Sequence, residues 1–287
     1  MIRCFLYTLF LGYNILSLPL QGQKMPKWFK IGVQAYTYRN HMGKDPDKIL
    51  DLVRDLGIQE IEGGGSGNLS DADFLKKCQA RGIDVVSTGC DFQELKDNPS
   101  KVVARAKVLG VRMVMCPWIP HQKGNFNLQD AKNAVEVFNK AGEILRDNGI
   151  TLCYHNHGYE FQPYMDGTLM DYLIQKTEPK FVSFEMDVFW TIHGGASPAS
   201  LLRKYPDRIR MLHLKDIRKG VKGDLTGGSG PENDVVLGTG QADYAKLFAL
   251  AKKNKVKHFF IEDESDNEMV NVPLSIAFLK KIIPTVK

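Results

Sequence analysis

Residues 152–161 read LCYHNHGYEF, residues 184–190 read FEMDVFW, and residues 211–216 read MLHLKD. In each, a short apolar run breaks into His, Asp or Glu. A further segment, HFFIEDE at residues 258–264, ends in carboxylates. Helix-like stretches separate the segments. This is the pattern of parallel strands that deliver ligand-type side chains to one end of a barrel.

The same rhythm extends outward to both termini. Strand-like runs fall at residues 31–38, 60–62, 84–89, 112–116, 150–155, 181–187, 210–215 and 258–262. Helical spacing of apolar residues follows each, at 46–56, 70–81, 99–109, 127–148, 169–176, 197–205, 244–253 and 272–283. Gly57, Gly110 and Gly149 stand where helices should stop. A Gly-rich loop spans residues 220–240. Strict alternation demands parallel strands with helical crossovers. Eight such units over residues 28–287 fit an α/β fold of the closed (β/α)8 kind, a TIM barrel forming a single domain. A doubly wound open sheet is the alternative, but no Gly-x-Gly-x-x-Gly turn follows the first strand.

Composition agrees with a folded enzyme-sized domain. Of 287 residues, 43% are hydrophobic and 25% charged, with a formal net charge of +5. Some of that charge sits at Lys280, Lys281 and Lys287 and in the loop at residues 218–222. No dense basic stripe with interleaved aromatics occurs, which argues against nucleic acid as a partner. Arg3, an apolar stretch at residues 4–20 and a polar exit at 21–24 suggest a signal peptide over residues 1–23. Export to the periplasm would follow; without cleavage the protein would be cytoplasmic. No later segment has the run of about 20 apolar residues needed for a membrane span. Cys78, Cys90, Cys116 and Cys153 lack Cys-x-x-Cys spacing and read as buried thiols.

Function in such a barrel sits at the C-terminal ends of strands. Asp187, His213 and Glu262 occupy three successive ends, and together they suit one divalent ion such as Mn, Mg, Co or Zn. The preceding strand should add the last ligand. His155 has the parity for the interior; Glu160 lies just beyond the strand and could fold back. Glu160 is favoured, because another carboxylate suits a hard cation. His155, His157, Glu185 and Lys215 are then candidates for acid–base work or for clamping a substrate oxygen. Lys215 could alternatively pair with Glu185. Gln34, Tyr36, Glu62, Trp118, His121 and Trp190 are candidates for binding substrate, the aromatics by packing on sugar C–H faces. Taken singly, each residue has a plainer reading: Asp187 as a helix cap, Glu262 as a partner for Lys257, the tryptophans as core.

At these positions the chain resembles the xylose isomerase-like TIM-barrel superfamily, which includes the sugar phosphate isomerase/epimerase group and the AP endonucleases. The resemblance covers residues 28–285. It is carried by YHNHGYEF at 154–161, FEMD at 184–187, HLKD at 213–216, LGTG at 237–240 and the Ile261-Glu262 pair. It implies a metal held by Glu, Asp, His and Glu, onto which Asp187, His213 and Glu262 map. The first Glu is displaced here: His155 stands nearest, and Glu160 lies further on. The AP endonucleases carry extra histidines at early strand ends that this chain lacks. The resemblance implies an isomerase or epimerase that abstracts a proton beside a carbonyl of a small sugar, with Glu160, Glu185 or His157 as base. The alternatives it implies are a lyase or deglycosidase on 3-keto-glycosides, or an inosose-type dehydratase; a non-catalytic carbohydrate-binding barrel is a further reading. Export would favour a free sugar or a 3-keto-glycoside over a sugar phosphate. Homodimers are common in the family.

Overall fold

The computed structural model describes residues 25–287. The expected signal peptide, and the export that depends on it, lie outside the described residues. Eight parallel strands close into a barrel: β1 Gly32–Gln34, β2 Glu60–Glu62, β3 Asp84–Gly89, β4 Met113–Cys116, β5 Thr151–His155, β6 Val182–Asp187, β7 Ile209–Leu214 and β8 His258–Ile261. β1 pairs with both β2 and β8, which completes the ring. A crossover helix follows each strand: α1 Pro46–Asp55, α2 Asp71–Gln79, α3 Pro99–Leu109, α4 Leu128–Asp147, α5 Leu169–Lys176, α6 Pro198–Lys204, α7 Tyr244–Lys253 and α8 Glu268–Ile282. No helix among the described residues is long and apolar enough to cross a membrane.

Local chemistry sets the helix boundaries. Asp45, Asn98 and Ser197 accept backbone N–H bonds at the starts of α1, α3 and α6, and each is followed by proline. A side-chain acceptor satisfies an otherwise orphaned N–H, and proline at the first helical position loses no bond. Asn127 and Thr168 form reciprocal caps with Asp130 and Asp171. Gly110 closes α3 at φ 68°, a left-handed geometry that favours glycine.

The structure departs from the sequence expectations at several strand ends. The first strand stops at Gln34, and a 3-10 turn takes Ala35–Tyr38 because the Gln34 side chain accepts the Tyr36 N–H. Asp187 ends β6 and caps a short helix, Val188–His193. The 220–240 loop is partly ordered by a two-stranded ribbon, Asp216–Ile217 against Asp234–Val235. α8 begins four residues ahead of the expected position and carries Pro273 in its second turn.

The barrel interior is layered. At its N-terminal end, Glu60 bonds His258 Nδ1 at 2.8 Å and Lys30 at 3.2 Å. Above this lies an apolar plug of Met113, Met115, Cys153, Met211 and Phe260. Gly32 makes room for it, since a Cβ there would lie 2.7 Å from the Phe260 ring. Above the plug come Glu62, Glu185 and His213, all buried.

Asp216 fixes the loop beside the barrel mouth. Its buried carboxylate accepts the N–H groups of Gly238, Gly240 and Ala242 at 2.9, 3.0 and 3.0 Å. Asp216→Ala strands these donors. The expected loss is about 3 kcal/mol, at about 1–3 kcal/mol for each buried group left unsatisfied and allowing for relaxation. Urea denaturation reads it as a lowered midpoint.

Candidate metal centre and active site

His213 projects inward from the end of β7, and both of its ring nitrogens meet carboxylates. Nδ1 lies 3.2 Å from Glu262 Oε2 and 4.0 Å from Asp187 Oδ2. Nε2 lies 2.8 Å from Glu62 Oε1 and 3.3 Å from Glu185 Oε2. Burial alone would lower the His213 pKa, but the charges of Glu185 and Glu262 outweigh it and raise it well above the ordinary value. Glu262 shows the converse. Burial would raise its pKa, yet Lys215 and His213 hold it well below the carboxylate range.

Four buried residues, His155, Asp187, His213 and Glu262, each offer a ligand atom within 4.8 Å of the others. Glu62 and Glu185 form a second group that shares His213. Asp187 does two jobs here. Its Oδ1 accepts the Trp190 N–H at 2.7 Å, as the plainer reading as a cap expects. Its Oδ2 is buried without a hydrogen-bond partner, as are Glu62 Oε2 and Glu185 Oε1. Burial raises the Asp187 pKa to about 7, and burial together with Glu62 raises that of Glu185 well above its usual range. Orphaned carboxylate oxygens in a dry site are costly alone and are satisfied by a bound cation. The donor set fits a divalent ion.

Glu160 is not where the sequence reading put it. Its buried carboxylate accepts a hydrogen bond from the Tyr154 hydroxyl, and the His157 N–H at 2.9 Å. It stands outside both clusters, and His155 takes the place beside Asp187, His213 and Glu262. The reason is the left-handed turn at Gly158 (φ 91°), which starts the 3-10 segment Tyr159–Phe161 and turns Glu160 back toward its own loop.

The remaining candidates divide by location. Glu185 lies beneath the cluster, 3.3 Å from His155 Nδ1. Gln34 donates to Glu62 at 2.6 Å; Glu62 is fully buried, while Gln34 also lines a cavity at the mouth. Lys215 does not pair with Glu185. Its ammonium contacts Glu264, Glu262 and Asp234, and lies over the rings of Phe189 and Trp190. Burial would lower its pKa; those carboxylates more than reverse the effect, and it stays charged. Trp190 packs 5.4 Å from the His157 ring. Trp118 stacks on His121 at 4.9 Å and meets His157 edge-on. Tyr36 is 54% exposed at the rim. His157 Nδ1 has no partner, and burial lowers the His157 pKa to about 4.

Sequence reasoning missed Asn156, Asp234, Glu264 and Arg39. Asn156 Oδ1 accepts the Asp187 N–H at 3.1 Å and its amide donates to Thr191, so it orients the β6 end. The His-Asn-His pattern held the signal, since the alternating side chain must face the neighbouring strand.

Over residues 50–282 the sequence matches the family described as xylose isomerase-like TIM barrel. The chain belongs to that family. It is similar to an inosose dehydratase of Mesomycoplasma hyopneumoniae, 31% identical over 281 residues, with 86% of this chain and 92% of that protein covered. It is similar to an inosose dehydratase of Clostridium beijerinckii, 27% identical over 208 residues and 69% of this chain, but the match spans only 62% of that protein, under two thirds of its length. A solved sugar phosphate isomerase/epimerase of Parabacteroides distasonis superposes with a TM-score of 0.73 at 25% identity, covering 90% of this chain and 99% of that one. The closed eight-stranded barrel is the fold that the family's description names.

Burial raises the Glu160 pKa from the ordinary 4.5 to about 7, against the pull of Tyr154 and the His157 N–H. The folded state therefore holds this proton more tightly than the unfolded chain. The contribution of Glu160 to stability is full below pH 4.5 and is lost as pH rises through about 7. The decline from this group amounts to about 3 kcal/mol. Urea titrations of metal-free protein across this window should show the fall, and Glu160→Gln should flatten it.

Proposed function

We propose that this protein is a divalent-metal enzyme that removes a proton beside the carbonyl of a keto-sugar or keto-cyclitol. The observation that carries the reading is the buried cluster of His155, Asp187, His213 and Glu262, with an orphaned Asp187 oxygen and a free His157 nitrogen nearby. These four residues would hold the ion. When bound, such an ion polarises a carbonyl and its neighbouring hydroxyl and stabilises the enediolate.

The chain's own groups do the rest. His157 is neutral at pH 7, and its free Nδ1 accepts the proton from carbon. Lys215, kept charged and rigid by its carboxylates, presents its remaining donor capacity to a substrate oxygen in the adjoining cavity. Trp118 and Trp190 flank His157 and offer faces to the sugar ring. Glu185 and Glu62 steady the imidazoles of His155 and His213 from below. A proton returned to the other carbon gives an isomer, and one returned to the other face gives an epimer. Loss of a neighbouring oxygen instead gives dehydration, the reading favoured by the two relatives named inosose dehydratase.

Two measurements test this. Wild-type protein should carry one divalent ion per chain by elemental analysis. Asp187→Ala and His213→Ala should carry almost none, while Glu160→Gln keeps it; full metal content in the first two would sink the site. In D2O, metal-loaded protein should exchange deuterium into a carbon beside the carbonyl of keto-sugars or inososes. His157→Ala should slow that exchange roughly 100-fold, within the usual range for a general base, without loss of metal. Chelation should abolish exchange in both.

A further inference from the structure

The end of the barrel opposite the mouth carries a basic surface that the chemistry above does not use. Residues 244–261 hold five lysines and no acid, and residues 269–287 hold three lysines and no acid. Crossover helices run back against the strands, so α7 and α8 finish at the N-terminal end of the barrel. That end therefore carries Lys252 and Lys253 on α7, Lys255 and Lys257 on the turn into β8, and Lys280 and Lys281 on α8. All six are exposed. Lys27 and Lys30 join them from the segment before β1, and both are exposed.

Direct contacts join these elements in one surface. The Lys252 ammonium bonds the Val286 carbonyl at 3.1 Å and lies 5.8 Å from the Trp28 ring. Trp28 packs edge-on against Phe259 of β8. A Cβ at Gly57, just past the end of α1, would lie 3.9 Å from Lys280 Nζ. Lysine in the last turn of a helix complements the helix dipole, which accounts for the pairs on α7 and α8. It does not account for Lys27, Lys30, Lys255 and Lys257, which lie outside helices. Nor does the fold neutralise this charge. Of these eight lysines, only Lys30 reaches carboxylates among the described residues, Glu60 and Asp84, each at 3.2 Å. The mouth has the opposite character, with Glu264 and Asp266 lining the cavity beside Lys215. The net charge of +5 thus conceals a basic sector beneath β8 and β1.

A field of exposed ammonium groups suits a surface of many anionic headgroups. Two observations favour lipid over nucleic acid. Trp28, half-buried among the lysines, is a ring type that settles at the headgroup level of bilayers. The chain also enters the fold at this face: residues 1–24, with the apolar stretch at 4–20, lead directly into Lys27 and Trp28. A polybasic patch and an apolar anchor are two signals that together hold a protein at a bilayer.

We propose that the N-terminal face of the barrel docks on an anionic lipid surface through these lysines, with Trp28 at the headgroup level. The strands run away from this face, so the active-site mouth points into solvent and stays open to small molecules.

Co-sedimentation of the full chain with lipid vesicles tests the docking. The compositions are phosphatidylcholine alone and phosphatidylcholine with about one third phosphatidylglycerol. Binding to the anionic vesicles should be at least roughly tenfold tighter, and high salt should remove the difference. One lysine near an anionic surface contributes about a fivefold factor, so the triple variant Lys255→Gln, Lys257→Gln, Lys281→Gln should bind roughly 100-fold more weakly. The pair Lys132→Gln and Lys140→Gln, exposed on α4, should bind as the wild type does. Circular dichroism checks that each variant is folded, and the comparison of compositions and of salt needs no variant. Equal binding to both compositions, or a folded triple variant that binds as tightly as the wild type, overturns the proposal. Tighter binding to duplex DNA than to anionic vesicles, at equal concentration of anionic groups, overturns it in favour of a nucleic acid.

Discussion

The centre of this barrel depends on one imidazole held between opposed carboxylates. His213 touches Glu262 through one nitrogen and Glu62 through the other, with Asp187 and Glu185 close behind. Buried carboxylates at this density repel one another unless cations stand among them. The protein provides two such cations, at His213 and Lys215, and leaves several oxygens open toward the cluster. The remaining negative charge suits a divalent cation.

The site is held by neighbours with no direct part in the chemistry. Asn156 fixes the backbone of Asp187, and the cap on Trp190 fixes its side chain. Gln34 and Glu62 form a strut under His213, while Glu185 sits under His155. Glu160, sealed with Tyr154 against the His157 N–H, holds the loop that carries the free His157 nitrogen. Apart from the Glu62–His213 bond, which crosses the barrel, each of these contacts joins adjacent strands or a strand and its own loop, so small changes in strand register would disturb several at once.

The sequence made the barrel legible because period-two apolar runs and capped, glycine-stopped helices alternated without a break. Asp187, His213 and Glu262 were legible for a related reason: each closes a strand, and strand parity fixes its direction. Glu160 was misplaced because direction beyond a strand end is set by the turn, and the left-handed Gly158 reverses the chain there. The alternative pairing of Lys215 with Glu185 does not form, because Glu264 and Asp234 reach it from a loop and a ribbon distant in sequence. Gln34 and Glu62 read as substrate contacts because they stand at strand ends, but the sequence does not show that they bond each other. His213, which bonds Glu62, comes from β7, three strands away around the ring. Contacts across the barrel leave no periodic trace in the chain.

The apolar plug below Glu62 and Glu185 gives the interior a direction. Met113, Met115, Cys153, Met211 and Phe260 separate the charged layer from Glu60 and His258 at the other end. Those five side chains carry no charge, so they separate the two charged layers. Under the proposed chemistry, a proton taken from a substrate would return to it or leave through the mouth by which the substrate entered. While a ligand closes that mouth, a proton once removed stays beside the molecule that lost it.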